Sequence, residues 1–172
     1  TAEAGIKYKN RDDLLVAVMP EGTSVAGVFT SSKMPGAPVD WCRAILENGE
    51  ARALVVNAGN SNVFTGKAGN ATVRATAAKM AQEIGCRQKD VYIASTGVIG
   101  QFLPPEPIEA GIGKAMGALS PSNWVKAANA IMTTDTYPKY ATRQVMIGGV
   151  PVRINGIAKG SGMVAPDLAT ML

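Results

Sequence analysis

The chain has 172 residues, 47% of them hydrophobic, with a formal net charge of +4 and no histidine; that length suits one domain with a sizeable core. Its Lys and Arg are scattered and aromatics make up only 5%, which argues against a nucleic-acid surface, where basic residues cluster and rings stack on bases; no apolar run approaches the roughly 18–20 residues of a membrane span. The lack of histidine removes His-based triads and the commonest metal ligand, so any nucleophile needs another base.

In chain order, "DLLVAVM" (residues 13–19) and "SVAGVFTSS" (24–32) read as two short strands around the turn-like "PEGT". Cys42 and Cys86 allow at most one disulfide, and a chain of this size does not need one, so both are expected to be reduced and buried. "RALVVNAGNSN" holds a buried strand at 53–56 that runs into a glycine–asparagine turn. "NATVRATAAKMAQEIG" spaces Val73, Ala77, Met80, Ala81 and Ile84 near the helical period, with Asn70 suited to the N-cap and Gly85 to the C′ position. A strand at 91–94 ends in a Ser-Thr-Gly turn. "LPPEPIEAGIGKAMGAL" begins a helix at its prolines, with Ile108, Ile112, Met116 and Leu119 on one face; its glycines weaken it. "PSNWVKAANAIMTTD" is a helix capped by Ser122 and ending at the threonine pair, and "QVMIGGVPVRI" is a hairpin turning at Gly148-Gly149. Alternating strands and helices give an α/β or α+β chain, read as a single domain over 1–172.

Four loops rich in Gly, Ser, Thr or Asn stand out: "NAGNSN", "STGVIG", "TTDTYPK" and the closing "AKGSGMVAPDLATML". Loops on a packed scaffold are the usual home of chemistry. None is a phosphate loop: "GKAGN" lacks the required Ser or Thr, "AKGSG" places its lysine before the glycines, and "GIGKAMG" has the wrong spacing for a dinucleotide fingerprint. An isolated Ser-Thr-Gly is usually only a strand-end turn, but the Thr96 hydroxyl and Gly97 N–H also suit an oxyanion cradle, since glycine permits close approach. "TTDTYPK" reads either as a helix end and turn or as a site in which Thr133 and Thr134 offer hydroxyls and Asp135 a carboxylate for an ammonium group.

Ala169-Thr170 carries the strongest chemical hint. A threonine hydroxyl can attack the carbonyl before it; hydrolysis of the resulting ester frees an α-amine with a pKa of about 7.7–8.0 in model compounds. That amine can serve as the base for its own hydroxyl, which answers the missing histidine. An Ala-Thr pair is, however, most often ordinary chain. Lys159 is either a solvated lysine or a cation that holds a substrate carboxylate and lowers the pKa of that amine.

The runs "AGVFTSS", "RALVVNAGNSNVFTG", "ASTGVIG", "AIMTTDTYPK" and "GIAKGSGMVAPDLATML", in this order from Ala26 to Leu172, resemble the glutamate N-acetyltransferase (ornithine acetyltransferase) family of arginine biosynthesis. The resemblance implies an α/β layered sandwich of the self-processing N-terminal-nucleophile type, made as a longer precursor that cuts itself between Ala169 and Thr170. It puts the nucleophile on Thr170, the oxyanion pair on Thr96 and Gly97, and substrate contacts on Thr133, Lys159 and Thr170.

Further implications are acetyl transfer from N2-acetylornithine to glutamate through an acetyl-threonine, with no metal or organic cofactor, no nucleic acid and no membrane. The implied partner is a β chain from the same precursor, in an α/β heterodimer doubled to α2β2, which the apolar "MVAPDLATML" would contact. The compartment is the cytoplasm in a bacterium, and the mitochondrial matrix or plastid in a eukaryote. Two other readings stay open: a self-processing amidohydrolase or aminopeptidase, and a non-catalytic subunit. The resemblance leaves undecided whether acetyl-CoA also serves as donor.

Overall fold

The computed structural model describes residues 1–161 and residue 172. Among these, the elements are β1 (Leu14–Val18), α1 (Ala37–Ile45), β2 (Ala53–Asn60), α2 (Gly66–Ile84), β3 (Val91–Val98), α3 (Pro105–Met116), α4 (Trp124–Ala130), β4 (Lys139–Ile147) and β5 (Val150–Ala158). Strands β1, β2 and β3 form one sheet in that order, β1 antiparallel to β2 and β2 parallel to β3. A parallel pair needs a long crossover, and α2 supplies it.

The side-chain alternation of a strand gives this sheet two apolar faces. Leu14, Val16, Ala53, Val55, Val91 and Ile93 pack on one side against Val73, Ala77, Met80 and Ala81 of α2 and Ile108, Ile112 and Ala115 of α3. Leu15 and Val56 pack on the other side against Ala127 and Ala130 of α4 and the adjoining Ile131. The result is a layered mixed α/β arrangement, as the family resemblance implies: α2 and α3, the sheet, then α4. The β4–β5 hairpin is a second, two-stranded sheet that contacts α4. It turns at Gly148-Gly149, both at positive φ (56° and 82°) as a two-residue hairpin loop demands, and its strands extend well beyond the short runs foreseen.

Several expectations need correction. Residues 24–32 form no strand; they contribute one bridge, Ser24 to Glu50, and the neighbouring backbone bonds, Val25 N to Gly49 O at 3.0 Å and Ala51 N to Thr23 O at 3.0 Å, tie the start of this segment to the chain just before β2 and not to β1. Helix α2 starts at Gly66, so Asn70 is an exposed interior residue and Thr65 occupies the N-cap position. The Thr65 hydroxyl donates to Asn62 Oδ1 at 2.6 Å instead of capping the helix. At the other end Gly85 is left-handed, φ 67°, as expected. Helix α3 stops at Met116, leaving Leu119 44% exposed beyond it, and α4 has Asn123, not Ser122, at its N-cap position and ends at Ala130, short of the threonine pair.

Helix α1 was not foreseen from the sequence. It lies along the outer edge of β3 and satisfies that edge, which otherwise presents unpaired backbone groups. Trp41 Nε1 donates to Val91 O at 3.0 Å. Cys42 Sγ donates to Ile93 O at 3.2 Å and accepts from Ile93 N at 3.3 Å. Burial pushes the Cys42 thiol up, against the opposing pull of its Ile93 backbone bond, which suits a structural thiol. Both cysteines are free; Cys42 is buried as expected, whereas Cys86, just past the end of α2, is only half-buried.

Candidate active site

The parallel strands do not turn at Ser-Thr-Gly; β3 runs straight through it. Asn57 pairs with Ser95, Ala58 with Thr96 and Gly59 with Gly97, and a bulge follows at Gly59/Asn60. Gly97 has φ +134°, and a Cβ placed there would lie 2.3 Å from the carbonyl carbon of Gly59. No side chain fits. The need for glycine at position 97 therefore arises from the close approach of the paired β2 backbone at Gly59 and Asn60.

Alternation along β3 decides what each residue faces. Ile93 belongs to the α2–α3 side and Ala94 packs on the α4 side. Ser95 continues the first series, donating from Oγ to Asn57 Oδ1 at 2.6 Å. Thr96 continues the second, and there it meets Lys159 from the end of β5: Nζ donates to Thr96 Oγ1 at 3.0 Å. The same ammonium donates to the hydroxyl of Thr133, from the segment after α4. Two hydroxyls from separate elements thus share the Lys159 ammonium. Burial pulls the Lys159 ammonium below its ordinary value; nearby Asp135 opposes this and Lys139 adds to it.

Thr133 is held from both sides in the chain. Before it, the Arg11 guanidinium donates to Met132 O at 2.7 Å and Asn129 O at 3.4 Å, a favourable place for a cation at a helix C-terminus. After it, Asp135 accepts from Thr133 N at 3.2 Å, Gly160 N at 2.7 Å and Lys139 Nζ at 2.6 Å. Burial raises the Asp135 pKa, but the bonds from Lys139 and the two backbone amides outweigh it and hold the carboxyl down at about 2. Its charge is already matched by Lys139, so the reading of Asp135 as a partner for a substrate ammonium does not hold. Ser161 Oγ donates to Thr134 O at 2.9 Å, a further tie between the two segments.

The "NAGNSN" run turns out differently. Asn57 Nδ2 donates to Asn60 O at 2.9 Å, Asn60 Nδ2 to Gln101 O at 3.1 Å and Asn62 Nδ2 to Gly69 O at 3.0 Å. Asn60 Oδ1 accepts from Asn62 N at 2.8 Å. These side chains hold the backbone together and offer little to a ligand.

Of the residues singled out from sequence, Thr96, Thr133 and Lys159 are in contact and Gly97 follows Thr96 on the same strand. Ala169 and Thr170 lie outside the described residues. Leu172, two positions after Thr170 in sequence, packs against the Leu15–Val56–Ala127 cluster, and its carbonyl accepts from Lys159 N at 2.8 Å. Sequence reasoning missed the anchoring parts played by Arg11, Asp135 and Ser161. The spacing Thr133-x-Asp135 beside a glycine-rich segment was the available signal for Asp135. A separate cleft of about 450 Å³ lined by Trp124, Arg143 and Arg153 contains none of the three converging residues. Among the described residues no helix is long and apolar enough to cross a membrane.

Comparison with known proteins bears on the whole chain. The arginine biosynthesis bifunctional protein ArgJ of Bradyrhizobium diazoefficiens is 56% identical over 172 residues, which is all of this chain and 42% of that protein. The protein of the same name from Rhizobium meliloti is likewise 56% identical over the same shares. The chain thus spans less than half the length of these curated relatives. The crystal structure of arginine biosynthesis bifunctional protein argJ from Bacillus halodurans matches with a TM-score of 0.85 at 34% identity, over 99% of this chain and 88% of that one. Ornithine acetyltransferase from Mycobacterium tuberculosis, solved in complex with ornithine, matches with a TM-score of 0.85 at 32% identity, over 99% and 90%. The family model described as the ArgJ family covers residues 1–172, and the chain belongs to the ArgJ family.

Proposed function

We propose that this chain is the α portion of an acetyltransferase of arginine biosynthesis that moves an acetyl group from N2-acetylornithine to glutamate. The observation that carries the reading is the convergence of the Thr96 and Thr133 hydroxyls on the Lys159 ammonium, with Leu172 bonded to the backbone of Lys159. In this reading the precursor is cut between Ala169 and Thr170, and the two products remain together as an α/β heterodimer that doubles to α2β2. Two facts support a two-chain enzyme. The solved Bacillus halodurans chain is 88% covered by this one, whereas the curated relatives are only 42% covered. Bacterial relatives support a cytoplasmic setting.

The chemistry follows from the groups present. Freed Thr170 passes its hydroxyl proton to its own α-amine as Oγ bonds to the acetyl carbon. The developing oxyanion is held by Thr96 and the Gly97 N–H, donors of a kind that contribute roughly 10²–10³ in rate each. The C–N bond breaks, the stored proton goes to the departing amine of ornithine, and an acetyl ester remains. Glutamate's neutral amine then attacks the ester carbon, the bond from that carbon to Thr170 Oγ breaks, and the proton lost by the amine passes through the Thr170 α-amine to Oγ, which releases N-acetylglutamate and restores the hydroxyl. Both substrates carry an α-carboxylate, and Lys159 orients each in turn, with Thr133 beside it. Water must be excluded from the ester, or the outcome is hydrolysis.

The test uses the full-length precursor. Thr170→Ala is expected to abolish both chain scission and transfer. Scission that persists in that variant removes the nucleophile assignment. Equal release of acetate with and without glutamate would assign the wild-type enzyme to hydrolysis instead.

A further inference from the structure

Two segments of the site meet at one carboxylate. Asp135 has a side chain only 1% exposed. Its Oδ1 accepts from Gly160 N at 2.7 Å and Lys139 Nζ at 2.6 Å, while Oδ2 accepts from Thr133 N at 3.2 Å. Gly160 directly follows Lys159, so this carboxylate grips the backbone next to one site residue and the backbone of another. An ionised carboxylate can accept from several donors at once; a neutral amide of the same shape presents one acceptor oxygen and an NH₂ that opposes the other donors.

We infer that Asp135 is a positioning residue that sets Lys159 and Thr133 against Thr96, and so sets the strength of the Thr96 hydroxyl as an oxyanion donor; this rests on the acyl-transfer reading above. Lys159 Nζ donates to Thr96 Oγ1, so the hydroxyl's own proton is free to be donated onward. A bond received at oxygen polarises the O–H and strengthens the bond it gives. An ammonium has three donors; among the described residues Thr96 and Thr133 take two, and the third is the one this role assigns to a substrate oxygen. That division survives only while the backbone of residues 159–160 stays in register with residues 133–135, and a displacement of about 1 Å in such a site can cost on the order of 10²-fold in rate.

The experiment is a double-mutant cycle in the full-length enzyme, with activity normalised to the fraction of chains already split. Asp135→Asn is expected to lower kcat by roughly 10²-fold. In a Thr96→Ala background the same change is expected to cost less than about fivefold, because residues that act through one another are not additive. Wild-type kcat in Asp135→Asn, or its full loss repeated in the Thr96→Ala background, overturns the inference; the second result marks Asp135 as merely structural. If Asp135→Asn does not accumulate as soluble protein, Lys139→Met takes its place in the cycle, with an expected loss of roughly tenfold and the same non-additivity; an additive result there overturns the inference equally. Thr96→Ala alone reports on the underlying reading: unchanged transfer in that variant removes the oxyanion assignment, and the role of Asp135 falls with it.

Discussion

Two polar clusters sit at the carboxyl ends of the same pair of parallel strands, one on each face of the sheet, and they are wired in opposite ways. On the α2 side, Asn57, Asn60 and Asn62 spend their amides on Asn60 O, Gln101 O and Gly69 O, and Asn57 also receives Ser95. On the α4 side, the hydroxyls of Thr96 and Thr133 both accept from the Lys159 ammonium, which among the described residues uses two of its three donors in this way. Buried polar groups must be paired, but what they pair with separates scaffold from chemistry. Amides bonded to backbone carbonyls lock a bend in the chain. Hydroxyls gathered on a cation can turn toward a substrate.

Substitutions on the two sides should therefore fail differently. The largest effect is expected at Thr96: Thr96→Ala should reduce kcat by roughly 10²–10³ and leave the unfolding midpoint nearly unchanged. Gly97→Ala should damage both clusters, since they share the close pairing of β2 and β3 at this point. A Cβ there would lie 2.3 Å from Gly59 C at a backbone φ of +134°, so denaturant unfolding should show a loss of about 3 kcal/mol or more.

A smaller effect is expected from acid. Asp135 is held at about 2, below its ordinary 3.8, with its side chain 1% exposed. A carboxyl with a lowered folded-state pKa contributes stability that is full above the unfolded value and is lost as pH falls through about 2. Wild type should exceed Asp135→Asn by about 2 kcal/mol near neutrality, and that gap should close between pH 4 and 2, to be read from denaturant midpoints across that range. The smallest effect belongs to the scaffold side. Asn62→Ala removes the bond to Gly69 O and should cost about 1–2 kcal/mol of stability, with kcat per folded molecule unchanged; a large drop in kcat would erase the distinction between the two clusters.

The contrast also explains what could be read from sequence. The core of α2 was visible because Val73, Ala77, Met80 and Ala81 repeat at helical spacing, and all four are buried. The cores of β1, β2 and β3 were visible as apolar runs. What escaped was set by partners distant in sequence. Helix α1 presents Pro38, Cys42 and Ile45 at helical spacing, but it follows a stretch of Ser, Pro and Gly, and its purpose is the edge of β3, fifty residues away. Ser-Thr-Gly has turn composition, yet the pairing of Gly59 with Gly97 keeps it in a strand. Thr96, Thr133 and Lys159 were each foreseen, through their motifs and the family resemblance. Their common contact depends on the alternation of β3 and on Asp135, whose carboxylate sequence reasoning had offered to a substrate.

The claim that Thr170 accepts the acetyl group is met most directly by intact-mass analysis. Purified full-length enzyme would be incubated with N2-acetylornithine, without glutamate, and quenched in acid. The account predicts one added acetyl on the fragment that begins with Thr170, discharged when glutamate is supplied. An unsplit polypeptide that transfers acetyl at full rate, or an acetyl found on any other residue, would contradict it.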